Sequence, residues 1–203
     1  MSLTLIKFSD ESTQYITPTW DEMNQLAYQI AQKIRADNKQ FDRIVTLAKG
    51  GWPMTRSLVD FLNVNEVASL GIKFYSGINQ RYQKPEIYQD FPVKMKGESV
   101  LLFDDVADTG HSFVFAKEHL QKNGVKSITT AALFHKPHSV FKPDYFGFST
   151  NAWIIFPYEA IEAMTFLTKK WQVKGFTLTQ IQSRLLKLNT PPAWVKEYAN
   201  LNK

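Results

Sequence analysis

The sequence contains no cysteine, which excludes disulfide bonds and thiolate chemistry without fixing the compartment. Histidine is scarce, and His111, His135 and His138 lack the spacing of metal ligands, so no zinc site is predicted. Long apolar runs are also missing, so no segment is expected to span a membrane. The first residues, MSLTLIKFSD, do not resemble a signal peptide, and we therefore expect a cytoplasmic protein.

Low-complexity tracts and internal repeats are not visible, and the composition is that of a globular protein. Of the 203 residues, 44% are hydrophobic and 14% aromatic, which suffices for a domain with a buried core. Charge is uneven, because residues 169–203 carry seven Lys or Arg and a single acid, whereas residues 1–168 carry 17 basic and 18 acidic residues. Such a basic segment can be a solvated helical surface, or it can bind nucleic acid or an acidic partner.

Apolar periodicity predicts strands that alternate with helices along the chain. Residues 20–36 have apolar side chains at helical spacing, and Thr19 with Glu22 forms a capping box at the start. This alternation predicts a parallel sheet covered on both faces, with ligands bound at the carboxyl ends of its strands. Strands are predicted over 43–48, 67–75, 99–105, 127–134, 144–150 and 153–157, and further helices after Pro53 and over 110–123, 159–171, 177–188 and 192–200.

Residues 76–92 interrupt this alternation. The segment is polar, contains aromatic residues and two prolines, and shows no clear period. A loop of this length within a compact domain is usually a lid or a disordered segment. We therefore expect a loop over 76–92.

The strand that precedes DDVADTGHS, residues 104–112, ends in carboxylates and a small-residue turn. Asp104 and Asp105 can accept hydrogen bonds from two sugar hydroxyls or hold a divalent cation. The turn supplies backbone N–H groups, the start of a helix and the hydroxyls of Thr109 and Ser112, which together can cradle an anion. The combination suits a ribose 5-phosphate, and a plain acidic turn with a helix cap is the alternative.

The stretch VLLFDDVADTGHS, residues 100–112, resembles the phosphoribosyl-diphosphate signature of the type I phosphoribosyltransferases. The apolar run, the acid pair, the Asp-Thr-Gly and the hydroxyl residue two positions later all match. Phe103 and Ser112 depart mildly from the pattern, and neither removes a needed chemical group. The resemblance covers about residues 15–165.

This resemblance implies an α/β fold with a mainly parallel sheet flanked by helices and a small base-binding hood. It places the phosphoribosyltransferase domain with its hood in residues 1–168. Residues 169–203 would then be a basic helical C-terminal extension. Residues 76–92 would be the flexible loop that closes over the reaction centre.

The resemblance also assigns roles to the two turns. Asp104 and Asp105 would bind the ribose and Mg²⁺, and Asp108 would be the general base near the purine N7. LAKGG, residues 47–51, would be the pyrophosphate loop with a cis peptide bond between Ala48 and Lys49, although AKGG alone also suits an ordinary strand-to-helix turn. The 5-phosphate would be bound by Ala107, Asp108, Thr109, Gly110, His111 and Ser112, and pyrophosphate by Ala48, Lys49, Gly50 and Gly51.

Two later segments, ALFHKPHS and WIIFPYE, resemble the base-binding hood of the 6-oxopurine enzymes, especially the short xanthine–guanine type. Lys136 would donate to the purine 6-oxygen, and Trp153 would stack on the ring. Taken singly, Lys136 suits a solvated loop lysine and Trp153 suits core packing. The backbone at Ile154 and Ile155 would meet the other edge of the base, Glu159 would support metal and pyrophosphate, and His135 and His138 would flank the hood.

The resemblance therefore implies a Mg²⁺-dependent enzyme that transfers ribose 5-phosphate from phosphoribosyl diphosphate to guanine, xanthine or hypoxanthine in purine salvage. A homo-oligomer, dimer or tetramer, is expected, with no membrane partner. The main alternative is a nucleic-acid-binding regulator that uses the same fold as a sensor. A pyrimidine or orotate enzyme and a non-catalytic binding domain are further alternatives. The preferred purine, the oligomeric state and the role of the basic tail stay open.

Overall fold

The computed structural model describes residues 3–75 and 84–198. They fall into two compact units, each with its own apolar core. The sheet unit is Met23–Asn151, and the terminal unit combines Met1–Glu22 with Ala152–Lys203. The elements are β1 (Leu5–Lys7), β2 (Gln14–Ile16), α1 (Trp20–Ala36), β3 (Arg43–Ala48), α2 (Trp52–Leu62), β4 (Val67–Tyr75), β5 (Lys84–Gln89), β6 (Ser99–Ala107), α3 (His111–Lys122), β7 (Ser127–His135), β8 (Tyr145–Ser149), β9 (Trp153–Ile154), α4 (Ala160–Val173), α5 (Leu178–Lys187) and α6 (Pro192–Tyr198).

The sheet unit is built on a six-stranded sheet with the order β5-β4-β3-β6-β7-β8. All neighbouring pairs are parallel except β4 with β5, so the prediction of a mainly parallel sheet is confirmed. The chain leaves β3 through α2 toward β4 on one side, and leaves β6 through α3 toward β7 on the other. The carboxyl ends of β3 and β6 therefore border the crevice in which open α/β sheets bind their ligands.

The central strand β6 forms because its apolar residues are consecutive rather than alternating. Val100, Leu101, Leu102 and Phe103 are all fully buried. Since successive side chains of a strand point to opposite faces, this run requires cover on both faces of the sheet. The apolar faces of α2 and α3 contribute to that cover.

The loop predicted over 76–92 is wrong for the six residues that form a strand. Residues 84–89 form β5, which pairs antiparallel with β4 and places Ile87 opposite Ile72. A strand at the edge of a sheet tolerates Pro85 and polar side chains, so its sequence lacks the apolar signal of an inner strand. Residues 76–83 lie outside the described residues.

The terminal unit contains a three-stranded sheet with the order β1-β2-β9. The antiparallel pair β1 and β2 is not predicted by the sequence, because each strand has three residues and too little pattern to detect. Helices α4, α5 and α6 pack over one another and complete this unit. Its core joins residues from both ends of the chain: Phe8, Tyr15, Leu167, Trp171, Leu185 and Val195.

The basic C-terminal segment supplies part of this core and several ion pairs. The predicted boundary at residue 168 lies inside α4. A separate extension from residue 169 stays a prediction. Lys170 and Lys174 contact the Glu11 carboxylate, and Arg184 contacts Asp10. The side chains of Lys170, Lys174 and Arg184 are therefore used within the unit. Among the described residues, no helix is long and apolar enough to cross a membrane.

Candidate active site

The acid pair lies in the last part of β6 rather than beyond its end. The strand continues to Ala107, because Val106 and Ala107 pair with β7, so the predicted end at Asp105 is corrected by two residues. Asp105 is buried, with 6% of its surface exposed, whereas Asp104 is half-buried. The Asp105 backbone N–H donates to Asp104 Oδ1 over 2.9 Å. The two carboxylates therefore occupy different environments.

The turn after β3 packs directly on the Asp105 carboxylate. A Cβ atom at Gly50 would overlap the carboxylate carbon and both oxygens of Asp105. Any side chain at position 50 would displace either this turn or the Asp105 side chain, so glycine is required by the close approach. The structure thus brings together the loop predicted for pyrophosphate and an acid predicted for ribose.

The turn itself leads from a strand into a helix within four residues. The peptide bond between Ala48 and Lys49 is cis, as expected. The Gly51 N–H donates to the Leu47 carbonyl oxygen over 3.0 Å, and α2 begins at Trp52. The Lys49 side chain is exposed. The loop therefore presents a cation and a helix start at the carboxyl end of β3, an arrangement suited to an anionic ligand.

The second turn, after β6, has the geometry of an anion cradle. Gly110 has φ +86°, and α3 begins at the next residue, His111. Within the described part of the chain, no side chain caps this helix start. The first N–H groups of a helix lack intrahelical partners, so they are available to a phosphate. Thr109 and His111 are exposed and Ser112 is half-buried beside them.

The segment after β7 lies against the same turn and is hydrogen-bonded to it. The Lys136 N–H donates to the Ala107 carbonyl oxygen, and the Val140 N–H donates to that of Thr109, each over 3.0 Å. Lys136 is buried, with 6% of its surface exposed. Burial lowers the pKa of this lysine, and the negative charge of Asp108 counteracts that effect. Lys136 is therefore a buried amine rather than a solvated loop lysine. It lies beside the turn between β6 and α3, which is called the phosphate turn below because it is predicted to bind the 5-phosphate.

Asp108 has a neighbour that sequence reasoning missed. The His138 Nε2 lies 3.3 Å from the Asp108 Oδ1, and both side chains are more than half exposed. The resemblance instead places His138 beside the base-binding hood. Parallel pairing of Ala107 with His135 places the residues that follow both strands side by side. An inference from the sequence that β6 and β7 are parallel neighbours would therefore have predicted the contact between Asp108 and His138.

The predicted base-stacking residue Trp153 lies at the start of β9 in the terminal unit. Its half-buried ring packs against Tyr15, at 5.7 Å between centroids, and edge-on against Phe166, at 5.3 Å. Ile154 and Ile155 are buried, and the Ile155 N–H donates to the Ile16 carbonyl oxygen over 2.8 Å. That N–H is thus engaged by the sheet.

The terminal unit brings all four of its predicted site residues to one cavity. The cavity has a volume of about 180 Å³ and lies between β9 and the first turns of α4. Its lining combines two aromatic residues, three aliphatic residues and two acidic residues. It is lined by Trp153, Ile154, Ile155, Glu159, Glu162, Ala163 and Phe166.

Comparison with known proteins decides the family. Residues 17–162 match the family model of the phosphoribosyl transferase domain. The chain belongs to the phosphoribosyltransferase family. The matched range agrees with the extent of the resemblance, about 15–165, and the predicted α/β fold of this family is confirmed.

Individual phosphoribosyltransferases resemble the chain over most of their length. The xanthine-guanine phosphoribosyltransferase of Idiomarina loihiensis is 26% identical over 143 residues, which cover 70% of this chain and 84% of the relative. A crystal structure of a purine phosphoribosyltransferase from Pyrococcus horikoshii has 31% identity and a TM-score of 0.64, and covers 71% of this chain and 93% of that chain. The xanthine-guanine-hypoxanthine enzyme of Helicobacter pylori, at 21% identity and a TM-score of 0.62, shares the fold over 71% and 94% of the two chains.

The phosphoribosyltransferase family implies a magnesium ion, and the donors present fit one. Asp104 and Asp105 supply carboxylate oxygens near the carboxyl end of β6. Over residues 3–75 and 84–198, no group of three or more His, Asp or Glu side chains forms a complete metal site. Mg²⁺ keeps several waters and is typically bound by one or two carboxylates plus substrate oxygens, so an acid pair is a suitable set.

Proposed function

We propose that this phosphoribosyltransferase transfers the ribose 5-phosphate of phosphoribosyl diphosphate to guanine, xanthine or hypoxanthine in purine salvage, releasing pyrophosphate. The names of the relatives above support a purine acceptor. The observation that carries the choice of a 6-oxopurine is the buried amine of Lys136, held beside the phosphate turn. The regulator alternative finds no support in these relatives.

The two turns account for the phosphoribosyl diphosphate. Asp104 and Asp105 would accept hydrogen bonds from the ribose hydroxyls, and the 5-phosphate would occupy the start of α3. The Lys49 side chain and the loop Ala48–Gly51 around it would hold the pyrophosphate, although the Gly51 N–H itself donates to Leu47. As pyrophosphate departs, negative charge develops on it, and fixed donors at this position stabilise the transition state more than the ground state.

The base would be oriented by Lys136 and deprotonated by Asp108. An ammonium group has three donors and no acceptor, so it bonds to a 6-oxygen but not to the amino group of adenine. Asp108 lies close enough to Lys136 for its charge to act on the pKa of that amine. A carboxylate at this place can take the proton that the attacking purine loses. The resemblance assigns ring stacking to Trp153.

The proposal also includes the metal requirement, the oligomeric state and the cellular location of the protein. Asp104 and Asp105 would hold Mg²⁺ largely through water and substrate oxygens. The resemblance assigns a supporting role to Glu159. When bound, the ion neutralises the charge of the leaving pyrophosphate. A homo-oligomer, a cytoplasmic location and any contact of the basic tail with nucleic acid stay predictions.

Pyrophosphate release tests the proposal directly. The protein is supplied with phosphoribosyl diphosphate, Mg²⁺ and one base at a time: guanine, xanthine, hypoxanthine or adenine. At least one 6-oxopurine should release pyrophosphate, adenine should not, and chelation should abolish the signal. Asp105→Asn should lower turnover by about 10²–10³-fold, the cost of losing one transition-state contact. Asp60→Asn, which alters an exposed acid of α2, is the matched control. Turnover with adenine alone would contradict the proposal.

A further inference from the structure

Asp108 and His138 form a carboxylate–imidazole pair at the edge of the phosphate turn. The Nε2 of His138 lies 3.3 Å from the Oδ1 of Asp108. Contacts used in catalysis are often long before substrate binds and shorten in the reacting complex. The backbone fixes the pairing, because the segment that carries His138 is bonded to the turn at both ends, from Lys136 to Ala107 and from Val140 to Thr109.

The exposure of the groups around the pair favours a proton that moves outward. Lys136 is buried on one side of Asp108, and its role as a donor to the base requires it to keep its protons. His135 and Lys142 are the other groups whose charges are coupled to this segment, and burial together with Lys142 and His138 lowers the pKa of His135. His138 is 59% exposed, so it can exchange a proton with solvent.

We propose that Asp108 and His138 form a relay that carries the proton of the purine from the active site to solvent. The inference rests on the proposed function. As the purine nitrogen bonds to the anomeric carbon, the carbon–oxygen bond to pyrophosphate breaks and its electron pair leaves with the pyrophosphate. The purine N–H proton passes to the Asp108 carboxylate, then to the neutral imidazole of His138, and finally to a buffer base. His138 acts through Asp108 and is therefore a positioning and relay residue.

A neutral imidazole has a ring nitrogen that can accept a proton from a carboxyl group. The relay returns Asp108 to the ionised form that it needs for the next turnover.

The test is a single-turnover measurement with His138→Gln, using phosphoribosyl diphosphate, Mg²⁺ and the best of the three 6-oxopurines. Glutamine can still contact Asp108 but cannot take a proton. We expect the rate to fall by about 10²-fold, the lower end of the range for general acid–base catalysis, while affinity for phosphoribosyl diphosphate stays the same. Added imidazole should restore the rate in proportion to its concentration, because the site is exposed.

His119→Gln is the matched control. His119 also contacts a carboxylate, with its Nε2 2.9 Å from Asp90 Oδ1, in the same unit but on α3 away from the turn. It should react at the wild-type rate and ignore imidazole. A wild-type rate in His138→Gln, or a reduced rate that imidazole does not raise, would overturn the relay alone. An inactive wild-type protein would overturn the proposed function and the relay with it.

Discussion

Replacement of Glu11 by Gln tests how the two ends of the chain are held together in the terminal unit. Glu11 is buried, yet its carboxylate accepts hydrogen bonds from the Tyr15 hydroxyl, the Trp171 indole N–H at 2.6 Å and Lys170 at 3.1 Å. The Arg184 Nη2 lies 3.5 Å from the Glu11 Oε1, and the Arg184 guanidinium packs against the rings of Phe8, Trp171 and Phe176. A single side-chain carboxylate from the N-terminal segment, that of Glu11, therefore contacts side chains of both α4 and α5.

The pKa of Glu11 gives the size of the contribution that this carboxylate makes to the free energy of folding. Burial by itself raises the pKa of this carboxyl group, but the hydrogen bonds from Tyr15, Trp171 and Lys170 outweigh burial and hold the pKa at about 2, against an ordinary 4.5. A shift of this size corresponds to about 3 kcal/mol of folding free energy. Removing one partner of a buried ion pair typically costs about 3–5 kcal/mol, which agrees with that value.

The sign of the pH dependence follows from a pKa that folding lowers. The stabilisation is complete above the ordinary pKa of 4.5 and is lost as pH falls toward 2, because the carboxylate must then bind a proton that the folded state disfavours. Urea unfolding monitored by tryptophan fluorescence is a suitable assay, since Trp171 is fully buried in this unit. The wild-type free energy of unfolding should fall through this range.

Glu11→Gln should lower the free energy of unfolding at pH 7 by about 3 kcal/mol and flatten its dependence between pH 4.5 and 2. Glu197→Gln, at an exposed position of α6, is the matched control and should change the free energy by less than about 0.5 kcal/mol. A loss below about 1 kcal/mol, or an unchanged pH profile, would refute the assignment of this stabilisation to the Glu11 carboxylate.

Three further substitutions address the sheet unit. Gly50→Ala should reduce pyrophosphate release by at least about 10-fold with the circular dichroism spectrum retained, because the new methyl group overlaps the Asp105 carboxylate; an active variant would refute the close approach. Lys136→Ala should raise the KM for guanine far more than that for phosphoribosyl diphosphate, and equal effects in steady-state kinetics would argue against a contact with the 6-oxygen. Arg43→Ala should lower the free energy of unfolding by about 2–3 kcal/mol in urea titrations, because buried Arg43 donates two hydrogen bonds to Glu98, and a change near zero would show that the pair contributes nothing.

Local sequence determined the elements whose signals are complete within a few residues. The helix over 20–36 begins with the predicted capping box, in which the Glu22 N–H donates to Thr19 Oγ1 and the Thr19 N–H donates to Glu22 Oε2. Strands β3 and β4 have the predicted bounds, because each is rich in β-branched and other apolar residues and is flanked by turn residues. The turn after β6 was recognisable because its glycine, acids and hydroxyls are adjacent in sequence.

Tertiary structure decided the features that depend on partners distant in sequence. The edge strand β5 and the pair β1 and β2 are defined by the strands they bond to, and their own residues carry little pattern. Lys136 and His138 follow β7, and only the parallel pairing of β6 with β7 places them beside Asp108. Parallel strands end at the same edge of the sheet, so chemical groups separated by some thirty residues meet there, and a local pattern contains no information about which strands are neighbours.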